Sequence, residues 1–360
     1  MTENRVIKRW IHSHIQSLQA YSVAKAQGLV KLDAMENPYV WGDELRGQWL
    51  EELKGLALNR YPDGQAVDVV TALTQAFSIP PSLSVLLGNG SDELIQTIAL
   101  AVGGAERVMI SAEPSFSMYR VITSITGSTF VATPRDAQFN IDQDALLRAV
   151  AEHDPCCVFL ASPNNPTGNP CDPELIEKIA NACSGIVVVD EAYDAFSESS
   201  FMDRVGAHQN VVLMRTLSKL GLAGLRLGFL MGEPNLISEL NKIRLPYNVN
   251  VMTQASAAFA LQHLDWFDHQ AEKIKKARER LLSSLASMAG VTVYPSAANF
   301  LLFRVADGSG EAVFSNLKQQ GVLIKSLHGT HPQLADCLRV TVSTPEENQL
   351  FLDALQVALQ

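Results

Sequence analysis

The chain is 360 residues long and carries 28 Lys and Arg against 38 Asp and Glu, a formal charge of −10 at neutral pH. That balance leaves little from which to build the basic face that a nucleic-acid backbone demands. With 47% hydrophobic and 18% charged residues the composition is globular, and disorder, collagen and coiled coil are excluded.

At about 150 residues per domain the length suggests roughly two domains with a large core. Residues 1–18 mix Arg5, Lys8, Arg9, His12 and His14 with single apolar residues and lack the continuous apolar stretch of a signal peptide. Between about 60 and 245, short apolar runs alternate with amphipathic stretches, the pattern of an α/β layer structure. Strands are expected at 85–87, 108–110, 129–133, 158–161, 186–189, 211–214 and 227–230, several of them apolar throughout, as when helices cover both faces of a sheet. Gly103 and Gly104 close a helix begun near Asp92, Gly127 closes one from about Phe116, and Asp172 with Pro173 opens another. From 233 to about 289 the pattern is mainly helical. The tail returns to strands at 299–303, 322–324 and 338–342 and a closing helix at 345–359. No linker marks a boundary, so the change of pattern places it: a segment 1–45 joining the small domain, a large domain 46–262 and a small α+β domain 263–360. The longest apolar stretch, 217–231, is interrupted by Lys219, Arg226 and glycines and falls short of the ~20 residues a bilayer requires. Five cysteines without a C-x-x-C pair suggest neither a disulfide framework nor a metal site, and a cytoplasmic protein is expected.

Five clusters follow the ends of expected strands, where open α/β sheets place their ligands. Gly88-Asn89-Gly90-Ser91-Asp92-Glu93 turns from a strand into a helix whose free N–H groups suit an anion, although an ordinary turn would look the same. Ser162 to Gly168, with two prolines, is a rigid loop that can aim an Asn amide. Asp190 follows four apolar residues, and a carboxylate there needs a cation or donors unless it only caps a turn. Lys219, between hydroxyl residues and a glycine-rich apolar stretch, fits an amine whose pKa is lowered for nucleophilic work, with Arg226 within an apolar strand pattern needing an anionic partner. Arg339 inside a strand, and Lys325 at the end of another, fit a clamp for a carboxylate or phosphate; an internal salt bridge and a solvated edge are the alternatives.

In this order the clusters resemble the fold-type-I pyridoxal-phosphate aminotransferases over nearly the whole chain, α/β proteins with a large domain built on a mostly parallel central sheet and a smaller α+β domain. More narrowly, 32–39 (LDAMENPY), 59–63 (NRYPD), 88–95 and 338–348 (LRVTVSTPEEN) resemble the histidinol-phosphate aminotransferases of histidine biosynthesis. The resemblance implies that Lys219 bonds pyridoxal phosphate covalently and moves the substrate proton. Asp190 would pair with the ring nitrogen, Asn165 and Tyr193 would bond the ring's 3′-oxygen, and Phe116 would stack on the ring. Ser91, Asp92 and Glu93 would offer N–H groups to the phosphate, with Thr216, Ser218 and Arg226 adding side-chain donors. Tyr61 would reach the phosphate from a neighbouring subunit, which makes the active unit a homodimer with shared sites. Tyr21, Asn165, Lys325 and Arg339 would bind the substrates, histidinol phosphate and 2-oxoglutarate or its product glutamate. Where many relatives carry a second arginine this chain has Lys325, which keeps the charge and loses the planar fork.

Two rival enzymes share the cofactor residues: a threonine-phosphate decarboxylase-like lyase, and an aminotransferase for aromatic or assorted amino acids. A cofactor-binding transcriptional regulator is disfavoured, since only about 30 residues precede the resemblance, too few for a DNA-binding domain.

Overall fold

The computed structural model describes residues 8–20 and 24–360. Its strands are β1 (Val30–Lys31), β2 (Ser84–Gly88), β3 (Val108–Ala112), β4 (Thr129–Thr133), β5 (Cys157–Ala161), β6 (Ile186–Asp190), β7 (Val211–Thr216), β8 (Gly228–Gly232), β9 (Thr292–Val293), β10 (Phe300–Arg304), β11 (Val322–Leu323), β12 (Lys325–Ser326) and β13 (Cys337–Thr341). Seven of them, in the order β2-β8-β7-β6-β5-β3-β4, form one sheet. Within it β8 runs antiparallel to both neighbours and the remaining pairs are parallel. Strands β5, β6, β7 and β8 are buried from end to end, which is why their sequences read as unbroken apolar runs. The expected α/β architecture is observed.

Register decides what the sheet presents at its edge. Ala161 of β5 pairs with Asp190 of β6, and Asp190 with Met214 of β7, so the loops that follow these strands leave the sheet at one level. Across the antiparallel strand, Thr216 pairs with Gly228 and Gly228 with Gly88, which brings the Gly88 turn alongside Thr216 and Ser218. The helix Ser91–Val102 starts directly from that turn and ends at Gly103, as its sequence suggested.

A second, antiparallel sheet has the order β12-β13-β10-β9, and β1 pairs in parallel with β11 beside it. The sequence pattern missed β1, β9 and β12, and the strand expected at 322–324 is β11, Val322–Leu323. Such two-residue strands are too short to show a period. The core under this sheet gathers Phe300, Phe303, Leu317, Val340, Phe351 and Leu355 together with Leu32 and Met35 from the N-terminal segment. The helix Leu264–Ala286 serves both cores: Phe267 packs with the large sheet, while Ala271, Ile274, Leu281 and Leu285 pack with the small one.

Gly228 is the tightest point between the sheet and the start of the helix Ser91–Val102. A β-carbon there would lie 2.7 Å from the Ser91 nitrogen and 2.8 Å from the Gly90 carbonyl carbon, backbone atoms that cannot rotate aside. Gly228→Ala is expected to cost about 1–3 kcal/mol through overpacking. Thermal unfolding should show this as a midpoint lowered by several degrees; an unshifted midpoint would mean that the turn relaxes freely.

Candidate active site

The segments that follow β3, β5, β6 and β7 meet the start of the helix Ser91–Val102 over the sheet edge and line a cavity of about 120 Å³, with Ser91, Asp92, Phe116, Asn165, Asp190, Tyr193, Thr216, Ser218, Lys219 and Arg226 on its walls. These ten were all named from sequence. On its wall Asp190 is 5% exposed, and its carboxylate accepts the Tyr119 hydroxyl at 2.6 Å and the Ala192 N–H at 3.0 Å. Burial, opposed by these two hydrogen bonds, pushes the Asp190 carboxyl up to about 6. The shift from 3.8 to about 6 favours the folded chain below about pH 4, and that contribution is lost as pH rises through about 6. At neutral pH the ionised carboxylate therefore costs roughly 3 kcal/mol. A cation bound beside it would recover much of that cost.

Lys219 lies in a tight turn after β7, and its ammonium donates to the Ala34 carbonyl at 3.0 Å and sits 5.8 Å from the Tyr193 ring centre. Burial first, then the Arg339 guanidinium, brings its amine down to about 8, against a contribution from Glu36 that raises it. Above that pH it is a free nucleophile.

Asn165 links two other residues of the site, Tyr193 and Arg339. Its amide donates to the Tyr193 hydroxyl at 3.0 Å, and its carbonyl accepts from Arg339, whose other terminal nitrogen donates to the Asp33 carbonyl at 2.9 Å. Arg339 pairs across strands with Lys325, so two cations share one face of the small sheet. Like charges placed so are mutually destabilising, and an anion between them relieves this. Both line a wider cavity of about 480 Å³ that has Met35, Phe116 and Asn165 in common with the first.

At the other end, Thr216 donates to Ser218 at 3.0 Å and Arg226 donates to the Ser218 hydroxyl at 3.3 Å. The first N–H groups of the helix Ser91–Val102 have no partner within the helix, and Gly90, at φ +86°, has no β-carbon where Arg226 passes. The place given to Arg226 within a strand is corrected: it precedes β8 in a left-handed turn at φ 50°, with its side chain half exposed and Asp92 3.9 Å away. An exposed guanidinium needs no buried counter-ion, because water solvates it. Glu93 turns its carboxylate to the Asn89 N–H and the Asn248 amide, so its side chain closes the turn. Tyr61 is on the surface, 80% exposed and stacked on Tyr247 at 4.5 Å, and is not on the cavity wall. Tyr21 lies outside the described residues.

Sequence reading missed Tyr119, which is stacked on Phe159 at 4.6 Å and edge-on to Phe116. Phe116 precedes the helix Met118–Ile125 that carries Tyr119, and their three-residue spacing reads as ordinary core packing, so it does not single Tyr119 out. It also missed the buried pairing of Arg215 with Glu191 at 2.8 Å and Asp194 at 3.0 Å, which ties the loop carrying Asp190 and Tyr193 to the strand carrying Thr216.

The donor set fits pyridoxal phosphate. A buried carboxylate whose hydrogen-bond partners are both neutral suits a protonated ring nitrogen, and the helix start with Ser218 and Arg226 suits a phosphate. Among the described residues no group of three or more His, Cys, Asp or Glu is placed to hold a metal ion.

A family model described as aminotransferase class I and II matches residues 28–355, and the chain belongs to that family. Within it, the chain is 49% identical over 356 residues to histidinol-phosphate aminotransferase 2 of Nitrosococcus oceani, covering 99% of each chain. It is 46% identical to histidinol-phosphate aminotransferase 2 of Cupriavidus pinatubonensis, covering 99% of this chain and 98% of that one. The crystal structure of histidinol-phosphate aminotransferase from Sinorhizobium meliloti in complex with pyridoxal-5′-phosphate superposes with a TM-score of 0.87 at 23% identity, covering 97% of each chain. The fold is therefore that of the fold-type-I aminotransferases.

Removing the Tyr119 hydroxyl takes away a bond that favours the Asp190 carboxylate. In Tyr119→Phe the carboxyl midpoint should rise above about 6 by about one pH unit. NMR titration of the cofactor-free protein with 13C-labelled aspartate would read it, and an unmoved midpoint would remove Tyr119 from the site.

Proposed function

We propose that this chain transfers the amino group of L-histidinol phosphate to 2-oxoglutarate with pyridoxal phosphate as cofactor, giving imidazole acetol phosphate and L-glutamate in histidine biosynthesis. The observation that carries the substrate reading is the cross-strand pair Arg339 and Lys325, two cations lining a cavity that shares Met35, Phe116 and Asn165 with the one around Lys219. The relatives named as histidinol-phosphate aminotransferases support it.

When bound, pyridoxal phosphate supplies an aldehyde that takes up the amino group and a ring that draws electrons from the neighbouring carbon. Ser91, Asp92 and Glu93 at the helix start, with Thr216, Ser218 and Arg226, would hold its phosphate. Asp190, oriented by Tyr119, would keep a proton on the ring nitrogen. Asn165 and Tyr193 would fix the 3′-oxygen, and Phe116 would cover one ring face. Lys219 Nζ would take the proton from the carbon bearing the substrate's amine. An amine titrating near 8 suits this task better than an ordinary lysine, because its free form is available close to neutral pH.

Arg339 would receive the phosphate of the donor in one half-reaction and a carboxylate of the acceptor in the other, with Lys325 beside it. The proposed unit is a cytoplasmic homodimer. Tyr61 and Tyr247, exposed and stacked on each other, with Leu58 and Leu245 also exposed, supply an apolar surface through which Tyr61 would reach the partner's phosphate site. No helix among the described residues is long and apolar enough to cross a membrane. The proposed division is a large domain 46–262 and a small domain 263–360 joined by 1–45; Leu32 and Met35 in the core under the small sheet support it, although Phe267 packs with the large sheet.

Absorbance of the cofactor-loaded protein tests the reaction. Histidinol phosphate without acceptor should remove the visible band of the bound cofactor, and 2-oxoglutarate should restore it. A response to phenylalanine alone would move the reading to an aromatic aminotransferase, and release of carbon dioxide would make the protein a lyase. In Lys219→Ala, turnover should fall by at least about 10²-fold with the circular dichroism unchanged; near-normal turnover would overturn the role given to Lys219.

A further inference from the structure

The wider cavity extends beyond the two cations to a second polar wall. Glu113 follows β3, beside the edge strand β4 of the large sheet, and its backbone N–H donates to the Thr133 carbonyl at 2.9 Å. Its carboxylate, largely buried, receives Arg120 through Nε at 3.2 Å and through a terminal nitrogen, while the guanidinium lies 4.5 Å over the Phe130 ring. The carboxylate is thus fixed in place with lone pairs to spare, since two oxygens offer about four acceptor positions.

Facing it from the turn between β12 and β13 is His331. Its Nδ1 accepts the Gln333 N–H at 3.2 Å, which leaves Nε2 as the nitrogen that carries hydrogen in the neutral ring. Burial, the larger effect, lowers the His331 pKa and so favours the neutral ring, with Glu113 and Arg120 near enough to act on it in opposite directions. Glu113 and His331 line the same cavity as Lys325 and Arg339. One part of that cavity therefore attracts an anion, and another offers one fixed acceptor beside one fixed donor.

A neutral imidazole carries one N–H donor and one bare nitrogen acceptor, the complement of that wall. We propose that Glu113 and His331 recognise the imidazole of the amino donor, Glu113 accepting its N–H and His331 Nε2–H donating to its other nitrogen, so that these residues set the preference for imidazole over phenyl. This rests on reading the donor as histidinol phosphate. A phenyl ring would leave both wall groups without their bonds, and sites that hydrogen-bond a substrate group discriminate strongly against analogues lacking it.

The test compares kcat/KM for histidinol phosphate and for 2-amino-3-phenylpropyl phosphate, which keeps the amine and the phosphate and replaces only the ring. In Glu113→Gln and separately in His331→Phe, the imidazole-to-phenyl ratio should fall about tenfold or more. A ratio held constant while both values fall would reduce these residues to structural support and overturn the proposal, as would an unchanged ratio with unchanged values. Because the two substitutions lie in separate segments, after β3 and between β12 and β13, misfolding of one variant leaves the other to decide. If the unsubstituted enzyme turns over the phenyl compound and not histidinol phosphate, the reading of the donor fails, and that result is separate from any effect of the variants.

Discussion

A carboxylate at the end of a strand buried on both faces is the constraint around which this protein is arranged. Asp190 cannot be left bare there at neutral pH, because neither the Tyr119 hydroxyl nor the Ala192 N–H neutralises its charge. The apolar strand that makes Asp190 costly also makes it useful, since a low-dielectric setting strengthens its hold on a protonated ring nitrogen. Arg215, clamped between Glu191 and Asp194, then fixes the loop that begins at Asp190 against the strand that leads to Lys219.

The small sheet acts on the same centre through the segment that follows β1. The Leu32 carbonyl accepts the Thr341 N–H, Asn299 donates to the Met35 carbonyl, and Asn37 donates to the Leu220 carbonyl. Between these anchors the Ala34 carbonyl receives Lys219 and the Asp33 carbonyl receives Arg339. A short stretch of backbone therefore sets the distance between the amine that would handle the proton and the guanidinium that would hold the substrate's anion. Movement of the small sheet would be felt at both.

Much of this was legible in the sequence, for identifiable reasons. Unbroken apolar runs marked β5, β6 and β7 because both faces of those strands are covered, and glycine or proline punctuation placed the ends of the helices beside them. Asp190 and Lys219 stood out as charged residues against apolar surroundings. Tyr119 did not, because a tyrosine on an apolar helical face looks like core until the strand beneath it is known to end in a carboxylate. Arg226 was set in a strand since its neighbours Leu225 and Leu227 are apolar, whereas its left-handed backbone depends on the turn before β8. The pairing of Lys325 with Arg339 depends on the register of two antiparallel strands, which no local pattern carries.

The central claim is that Asp190 holds a proton on the ring nitrogen of the bound cofactor. The direct measurement is the 15N chemical shift of that nitrogen in protein loaded with 15N-labelled pyridoxal phosphate, with and without Asp190→Ala. The account predicts a protonated nitrogen at neutral pH in the unsubstituted protein and an unprotonated one in the variant. An unprotonated nitrogen in the unsubstituted protein, or a signal indifferent to the substitution, would contradict it.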